Sequence, residues 1–137
     1  RVYYCEHRTP ELVWRPEWQS HGNGASSMPE FIIVSNDHER EASDFARLLN
    51  SDVSGSNGCL AVAYQGGQLT LMSPASYTER YGVVASAMNG RNSIFGALVF
   101  RTDNLDKARA SGTPLIDEAN RVVIREENFD SILEFIG

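Results

Sequence analysis

Glu30-Phe31-Ile32-Ile33-Val34-Ser35-Asn36-Asp37 is the stretch on which the fold turns. Four apolar residues in a row suit a short strand buried on both faces, and the polar trio after them offers helix caps. Asn36 and Glu39 have the spacing of a capping box. Ala42, Phe45, Ala46 and Leu49 then recur at i, i+3, i+4 and i+7, which predicts an amphipathic helix of roughly three turns. Residues 50–58 are polar and turn-rich, with room for at most a short edge strand. Leu60–Tyr64 and Gln68–Met72 flank Gln65-Gly66-Gly67 and predict a hairpin. Ser73-Pro74 ends its second strand and opens a short helix over 75–81, closed by Gly82.

The same order returns downstream. Ile94–Phe100 reads as a strand, Thr102-Asp103-Asn104 as caps, and Leu105–Ala110 as a short helix stopped by Gly112. Pro114-Leu115-Ile116, Arg121–Ile124 and Ile132–Ile136 follow as three strands. Residues 29–74 and 94–137 thus read as two copies of a βαβββ unit, related by pattern rather than by identity. One unit alone exposes an apolar sheet face and needs its twin to cover it. The expected class is α+β, with paired βαβββ modules forming a cupped mixed sheet.

Upstream, Val2–His7 reads as an additional strand, and both tryptophans stand in the connector Trp14-Arg15-Pro16-Glu17-Trp18. By alternation Tyr3, Cys5 and His7 share one face, and Tyr4 and Glu6 the other. Glu6 therefore does not face Cys5, which speaks against an activated thiol. Trp14 and Trp18 are expected to pack across a domain or subunit surface. The division expected is residues 1–27 as strand and connector from an upstream unit, and 28–137 as the main domain. Within it, module one spans 28–82 and module two 93–137.

Composition sets the outer bounds. At 137 residues, 42% apolar and 22% charged, the chain is an ordinary globular domain able to bury a core. A net charge of −6 and twelve scattered basic residues argue against a nucleic-acid partner. No run nears the ~20 apolar residues of a membrane span. Two cysteines in strand contexts form no disulfide framework and fit reduced thiols in a cytoplasmic protein. The glycines make no phosphate-binding pattern, and the three histidines make no finger, HExxH or triad spacing.

Taken together, these segments resemble the vicinal-oxygen-chelate superfamily, the glyoxalase and bleomycin-resistance fold. Residues 30–37 resemble its opening strand, and Asn128-Phe129-Asp130-Ser131-Ile132-Leu133-Glu134-Phe135 its closing one. Residues 73–82 resemble a crossover segment of a glyoxalase-like subgroup, and residues 3–18 the junction of that subgroup's longer, tandem members. The resemblance implies a pocket in the cup of the sheet, with metal ligands, usually His and Glu, on the first and last strands of each module. Glu30, Thr70, Ala97 and Glu134 fall at those four positions. Two carboxylates beside a threonine and an alanine form an incomplete set, which speaks against a divalent metal and names no cofactor.

Glu30 and Glu134 are accordingly the catalytic candidates, with Thr70, Ala97 and Tyr64 as pocket residues. If the two carboxylates face each other in a dry pocket, repulsion raises one pKa and yields a general base. Glu6 and His7 are candidates for a site lying mainly in an upstream unit. The resemblance implies a lyase, isomerase or dioxygenase-type activity on a small oxygenated metabolite. The alternatives are a small-molecule-binding module of the resistance type and a structural partner domain. Besides a small ligand, the expected partner is a second copy of the chain or a missing N-terminal domain.

Overall fold

The computed structural model describes residues 6–126 and 128–137. The connector forms a single helical turn, α1 (Pro10–Val13), and a 3₁₀ turn over Pro16–Trp18. Trp14 and Trp18 are both exposed. The expected N-terminal strand lies largely outside the described residues, including Tyr3, Tyr4 and Cys5. Its last two members, Glu6 and His7, stand outside any strand.

The central strand β1 (Ala25–Ser35) explains its own sequence. Ile32 and Val34 point to one face of the sheet and Phe31 and Ile33 to the other, and both faces are covered, so an unbroken apolar run is required. The chain continues through α2 (His38–Leu49), β2 (Val53–Ser56), β3 (Cys59–Tyr64) and β4 (Gly67–Met72). A crossover helix α3 (Pro74–Tyr81) and a 3₁₀ turn (Gly82–Val84) lead to β5 (Ser93–Thr102), α4 (Leu105–Ala110), β6 (Ile116–Glu118), β7 (Arg121–Glu126) and β8 (Ser131–Ile136). The eight strands make one mixed sheet in the order β2-β3-β4-β1-β5-β8-β7-β6. β1 and β5 pair antiparallel at its centre, and each pairs in parallel with the last strand of its own module. Each half is a βαβββ unit, and the two halves mirror one another in strand order.

Three helices divide the faces. On the outer face α2 buries Ala42 and Ala46 against Ile33, Val62, Leu69 and Leu71. There α4 buries Ala108 against Val122, Ile124 and Phe135. On the inner face α3 lays Tyr77 and Tyr81 over Ile32, Val99, Val123 and Ile132. No helix of the described residues is long and apolar enough to cross a membrane.

Several local expectations need correcting. No capping box forms at Asn36 and Glu39: α2 starts at His38 with Asp37 as its N-cap. The Ser35 hydroxyl accepts from the Asp37 N–H instead, at 3.0 Å, so the serine before the expected cap does the work. In the β3–β4 hairpin Tyr64 pairs with Gly67, leaving Gln65 and Gly66 as the turn. The polar stretch before it does supply the short edge strand it had room for, β2, joined to β3 through Asn57 and Gly58, both at positive φ as a type I′ turn demands. β1 begins at Ala25, three residues earlier than the expected module.

Candidate functional site

Glu30 lies on β1 and Glu134 on β8, and β5 runs between them: Glu30 is level with Val99, and Val99 with Glu134. Cross-strand partners share a face, so both carboxylates point to the inner face. They do not meet each other. The Arg80 side chain, from the last turn of α3, stands between them.

The guanidinium of Arg80 grips Glu30 through two bonds, Nη1 to Oε1 at 3.2 Å and Nη2 to Oε2 at 2.9 Å. Nη2 also donates to Glu134 Oε2 at 3.0 Å. The Tyr81 hydroxyl donates to the same Glu134 oxygen at 2.5 Å. Thr70, on β4, donates to Glu30 Oε1 at 2.6 Å, and the Gln68 amide donates to the Thr70 hydroxyl at 3.1 Å. Arg121, at the start of β7, brings Nε to 2.8 Å from Glu134 Oε1. Its N–H is not aimed at that oxygen, so we read an ionic contact without a formed hydrogen bond. Both arginines lie over the Tyr81 ring, 5.4 and 5.5 Å from its centroid.

This network explains how an almost fully buried Glu134 is accommodated: Oε2 accepts hydrogen bonds from Arg80 and Tyr81, and the Arg121 charge stands against Oε1. It also removes the condition on which a general base was expected, because the two carboxylates face Arg80 and not each other. Burial works to raise the Glu30 pKa, but the hydrogen bonds from Arg80, Thr70 and Gln68, with the Arg80 charge, outweigh it and hold the group below its usual value. For Arg80, burial opposes the charge, while the hydrogen bonds to Glu30 and the Glu134 and Glu30 carboxylates more than compensate and fix it as a cation. The Tyr81 phenol is pushed far up, first by burial and then by the Glu134 carboxylate, and so remains a donor.

A pH dependence follows. A folded-state pKa below the unfolded one means that Glu30 contributes stability in full above its ordinary value of 4.5 and loses it as pH falls through the lower folded value. Urea unfolding of the wild type against Glu30→Gln should show a clear gap at neutral pH that closes in acid below about pH 4. A gap that persists in acid would contradict the depressed pKa.

The remaining sequence candidates are dispersed. Thr70 belongs to the cluster. Ala97 is buried on the same face, one row away, level with Ile32 and Ile132. Tyr64 lines an outer-face cavity of about 270 Å³ with Met28, Phe31 and Leu69. Glu6 is exposed, 3.7 Å from Arg8, and His7 stands edge-on to Trp14. Arg80 and Tyr81, the residues that organise the site, went unnoticed in the sequence. Their signal was the pair of charges and rings within Tyr77-Thr78-Glu79-Arg80-Tyr81, spaced so that Tyr77 and Tyr81 share one helix face.

A second feature lies on the outer face between α2 and α4. Phe31, Phe95, Leu98, Phe129 and Leu133 line a cavity of about 380 Å³, rimmed by Arg91, Glu126 and Asp130. It continues into a cavity of about 400 Å³ that shares Phe31, Phe95 and Arg91. Phe31 and Phe95 meet edge to face at 5.1 Å on its floor. Phe95 is 65% exposed and Phe129 79%, which is uncommon for large apolar side chains in one patch.

No protein-family model matches the chain, and no curated protein does. Solved structures do. The methylmalonyl-CoA epimerase of Mycobacterium tuberculosis superposes with a TM-score of 0.62 over 85% of this chain and 91% of that one, at 16% identity. The Streptomyces coelicolor methylmalonyl-CoA epimerase in complex with 2-nitronate-propionyl-CoA gives 0.55 over 82% and 96%, at 13% identity. This chain has the vicinal-oxygen-chelate fold. A hypothetical protein from Staphylococcus aureus also matches, with a TM-score of 0.50 and 10% identity over 80% of this chain, which spans 32% of that longer one.

The divalent-metal position of the vicinal-oxygen-chelate fold can be tested against these residues. Its place between the first and last strands is taken by the Arg80 guanidinium, which uses the very oxygens that would ligate. No group of three or more His, Cys, Asp or Glu side chains converges among the described residues. The donor set does not fit a metal.

Proposed function

We propose that this chain is a non-catalytic, self-associating binding module built on the vicinal-oxygen-chelate fold. The observation that carries the reading is Arg80 bridging Glu30 and Glu134. A carboxylate already held by a guanidinium is a poor proton acceptor, because taking up a proton discards its ion pair. The rings of Tyr77 and Tyr81 fill the space above the sheet where a substrate would enter. Epimerisation of methylmalonyl-CoA, the activity named for two structural neighbours, is therefore not expected from this chain, with or without added Mn²⁺ or Co²⁺. Turnover above background that Glu134→Gln removes would sink the proposal.

The open apolar surface is the outer trough, and its occupant in this reading is a second copy of the chain. A two-fold contact requires one face to complement itself. This face carries both a hole, the cavity over Phe31 and Phe95, and a knob, the protruding Phe129. It also carries both signs of charge. The Arg91 guanidinium donates only to backbone carbonyls and the Glu126 carboxylate accepts only from Asn128, so neither side chain has an ion-pair partner among the described residues. Light scattering should give a particle of about twice the 15.2 kDa chain mass. Phe129→Glu should return it to a monomer with an unchanged circular-dichroism spectrum. Arg91→Glu and Glu126→Arg should each weaken the dimer, and together restore it. A wild type that stays monomeric at high micromolar concentration would show that something else covers the trough.

A further inference from the structure

A cavity of about 580 Å³ opens between the connector and the start of β1, with Trp14, Trp18 and Phe100 on its walls. Its size falls in the range of small-molecule sites, roughly 300–1,000 Å³. It adjoins a second cavity of about 470 Å³, lined by Lys107 from α4, and the two share His21 and Asn23. The chain carries a net charge of −6, yet the linings of both cavities include Arg15, His21 and Lys107 and no acidic residue. Lys107 is the only lysine of the chain, and its ammonium has no ion-pair partner among the described residues. Gly24 fixes where that lysine stands. It takes φ +77°, and a Cβ there would lie 2.8 Å from Thr102 Oγ1 and 3.3 Å from Lys107 Cδ, so only a bare residue lets the loop close on the lysine stem. Asn23 braces the same loop by accepting the Ala25 N–H at 3.1 Å.

We propose that this flank binds a small aromatic anion, its planar ring against Trp14 and Trp18 and its phosphate or carboxylate at Lys107 and His21. Trp18 is 59% exposed although the Arg15 guanidinium lies over it, 4.9 Å from the ring centroid, so one face of the ring stays open. Exposed tryptophans offer a large flat apolar area that few rotatable bonds need to order. Arg15 is itself paired with Glu17, so the cation that can meet an anion in full is Lys107, with His21 beside it. A neutral apolar ligand would leave the lysine unused, and a bare inorganic anion would leave the tryptophans uncovered. A molecule that joins a ring to an anionic group uses both. The inference goes beyond the non-catalytic reading and does not depend on the dimer, since no residue of these two cavities lines the outer trough.

Isothermal titration calorimetry with naphthyl phosphate, naphthol and inorganic phosphate separates the ring from the charge. Naphthyl phosphate is expected to bind at least about tenfold more tightly than either of the others. Lys107→Ala should weaken it about tenfold and leave naphthol unchanged, whereas Trp18→Ala should weaken both. The indole N–H signals of Trp14 and Trp18, the only tryptophans, should shift on titration in NMR spectra and so locate the ring. Naphthoate run in parallel tells a carboxylate ligand from a phosphate one, the tighter binder naming the anion. Phe129→Glu should bind the probe as the wild type does, so a chain that proves monomeric and still takes the probe upholds this inference while the dimer falls. If naphthyl phosphate and naphthoate both fail to bind at millimolar concentration, or bind regardless of Lys107→Ala, the inference is overturned. Indole signals that stay in place while the probe binds would put it elsewhere and overturn it equally.

Discussion

Arg80→Ala is expected to lower the unfolding free energy by about 3–5 kcal/mol in metal-free buffer, the usual cost of removing one partner from a buried ion pair. The size of the effect comes from what is left behind. Glu134 is 3% exposed and would keep only the Tyr81 hydroxyl and the off-axis contact with Arg121. Glu30 would keep Thr70 and Gln68 but lose its two bonds to the guanidinium. Of a typical total stability of about 5–15 kcal/mol this is a large share. Urea unfolding at neutral pH measures it, and the gap to wild type should narrow in acid as Glu30 protonates. Arg80→Lys should fall between, because a point charge cannot hold two carboxylates in the geometry of a planar fork. Arg47→Ala is the control. Arg47 also pairs with a carboxylate, Asp44 at 2.6 Å, but its side chain is 81% exposed, so a change within about 0.5 kcal/mol is expected. If Arg80→Ala costs no more than Arg47→Ala, the inner-face cluster does not hold α3 in place.

The contrast between those two arginines shows what a sequence conveys and what it withholds. β1, α2, the β3–β4 hairpin, α3, β5, α4 and β8 were legible because each carries a local signal: an apolar run, a 3.6-residue period, a proline start or a glycine stop. The repeated order of those signals then implied the paired modules, since neither unit could cover its own sheet. Glu30, Thr70 and Glu134 were legible as neighbours because strand position and alternation place them on one face. Arg80 was not, because whether a helix arginine reaches solvent or the sheet depends on how the crossover docks. Nothing between residues 74 and 92 encodes that docking locally. The same blindness left the guanidinium out of the expected pair: two carboxylates facing each other would repel, and Arg80 stands between these two instead. The trough escaped for a related reason. Phe31, Phe95 and Phe129 are 30 or more residues apart, and only the finished sheet brings them together.

The docking of α3 has its own key, and Gly96→Ala is expected to turn it. Between Ile33 with Phe95 and Ile32 with Ala97 the β1–β5 register shifts, leaving Gly96 as the unpaired residue of a β-bulge. Its carbonyl is not wasted: the Tyr77 hydroxyl donates to it at 2.9 Å. Its missing side chain matters equally. A Cβ there would stand 2.7 Å from Val34 Cγ2 and 2.9 Å from Tyr77 Cε2, and both of those side chains are fully buried. The neighbours cannot yield without lifting α3 from the sheet, so a loss of about 1–3 kcal/mol is expected from overpacking alone. Tyr77→Phe keeps the ring and removes the hydroxyl, leaving the Gly96 carbonyl and the Ser86 N–H without that partner, for a loss of about 1–3 kcal/mol. The two sites touch, so their effects should not add. Once the extra methyl has pushed the ring away, the hydroxyl has less left to lose, and the double variant should be more stable than the sum predicts by about 0.5 kcal/mol or more. A double-mutant cycle in urea decides it. Strict additivity would mean that Tyr77 and Gly96 do not act as one contact in holding α3 to the inner face.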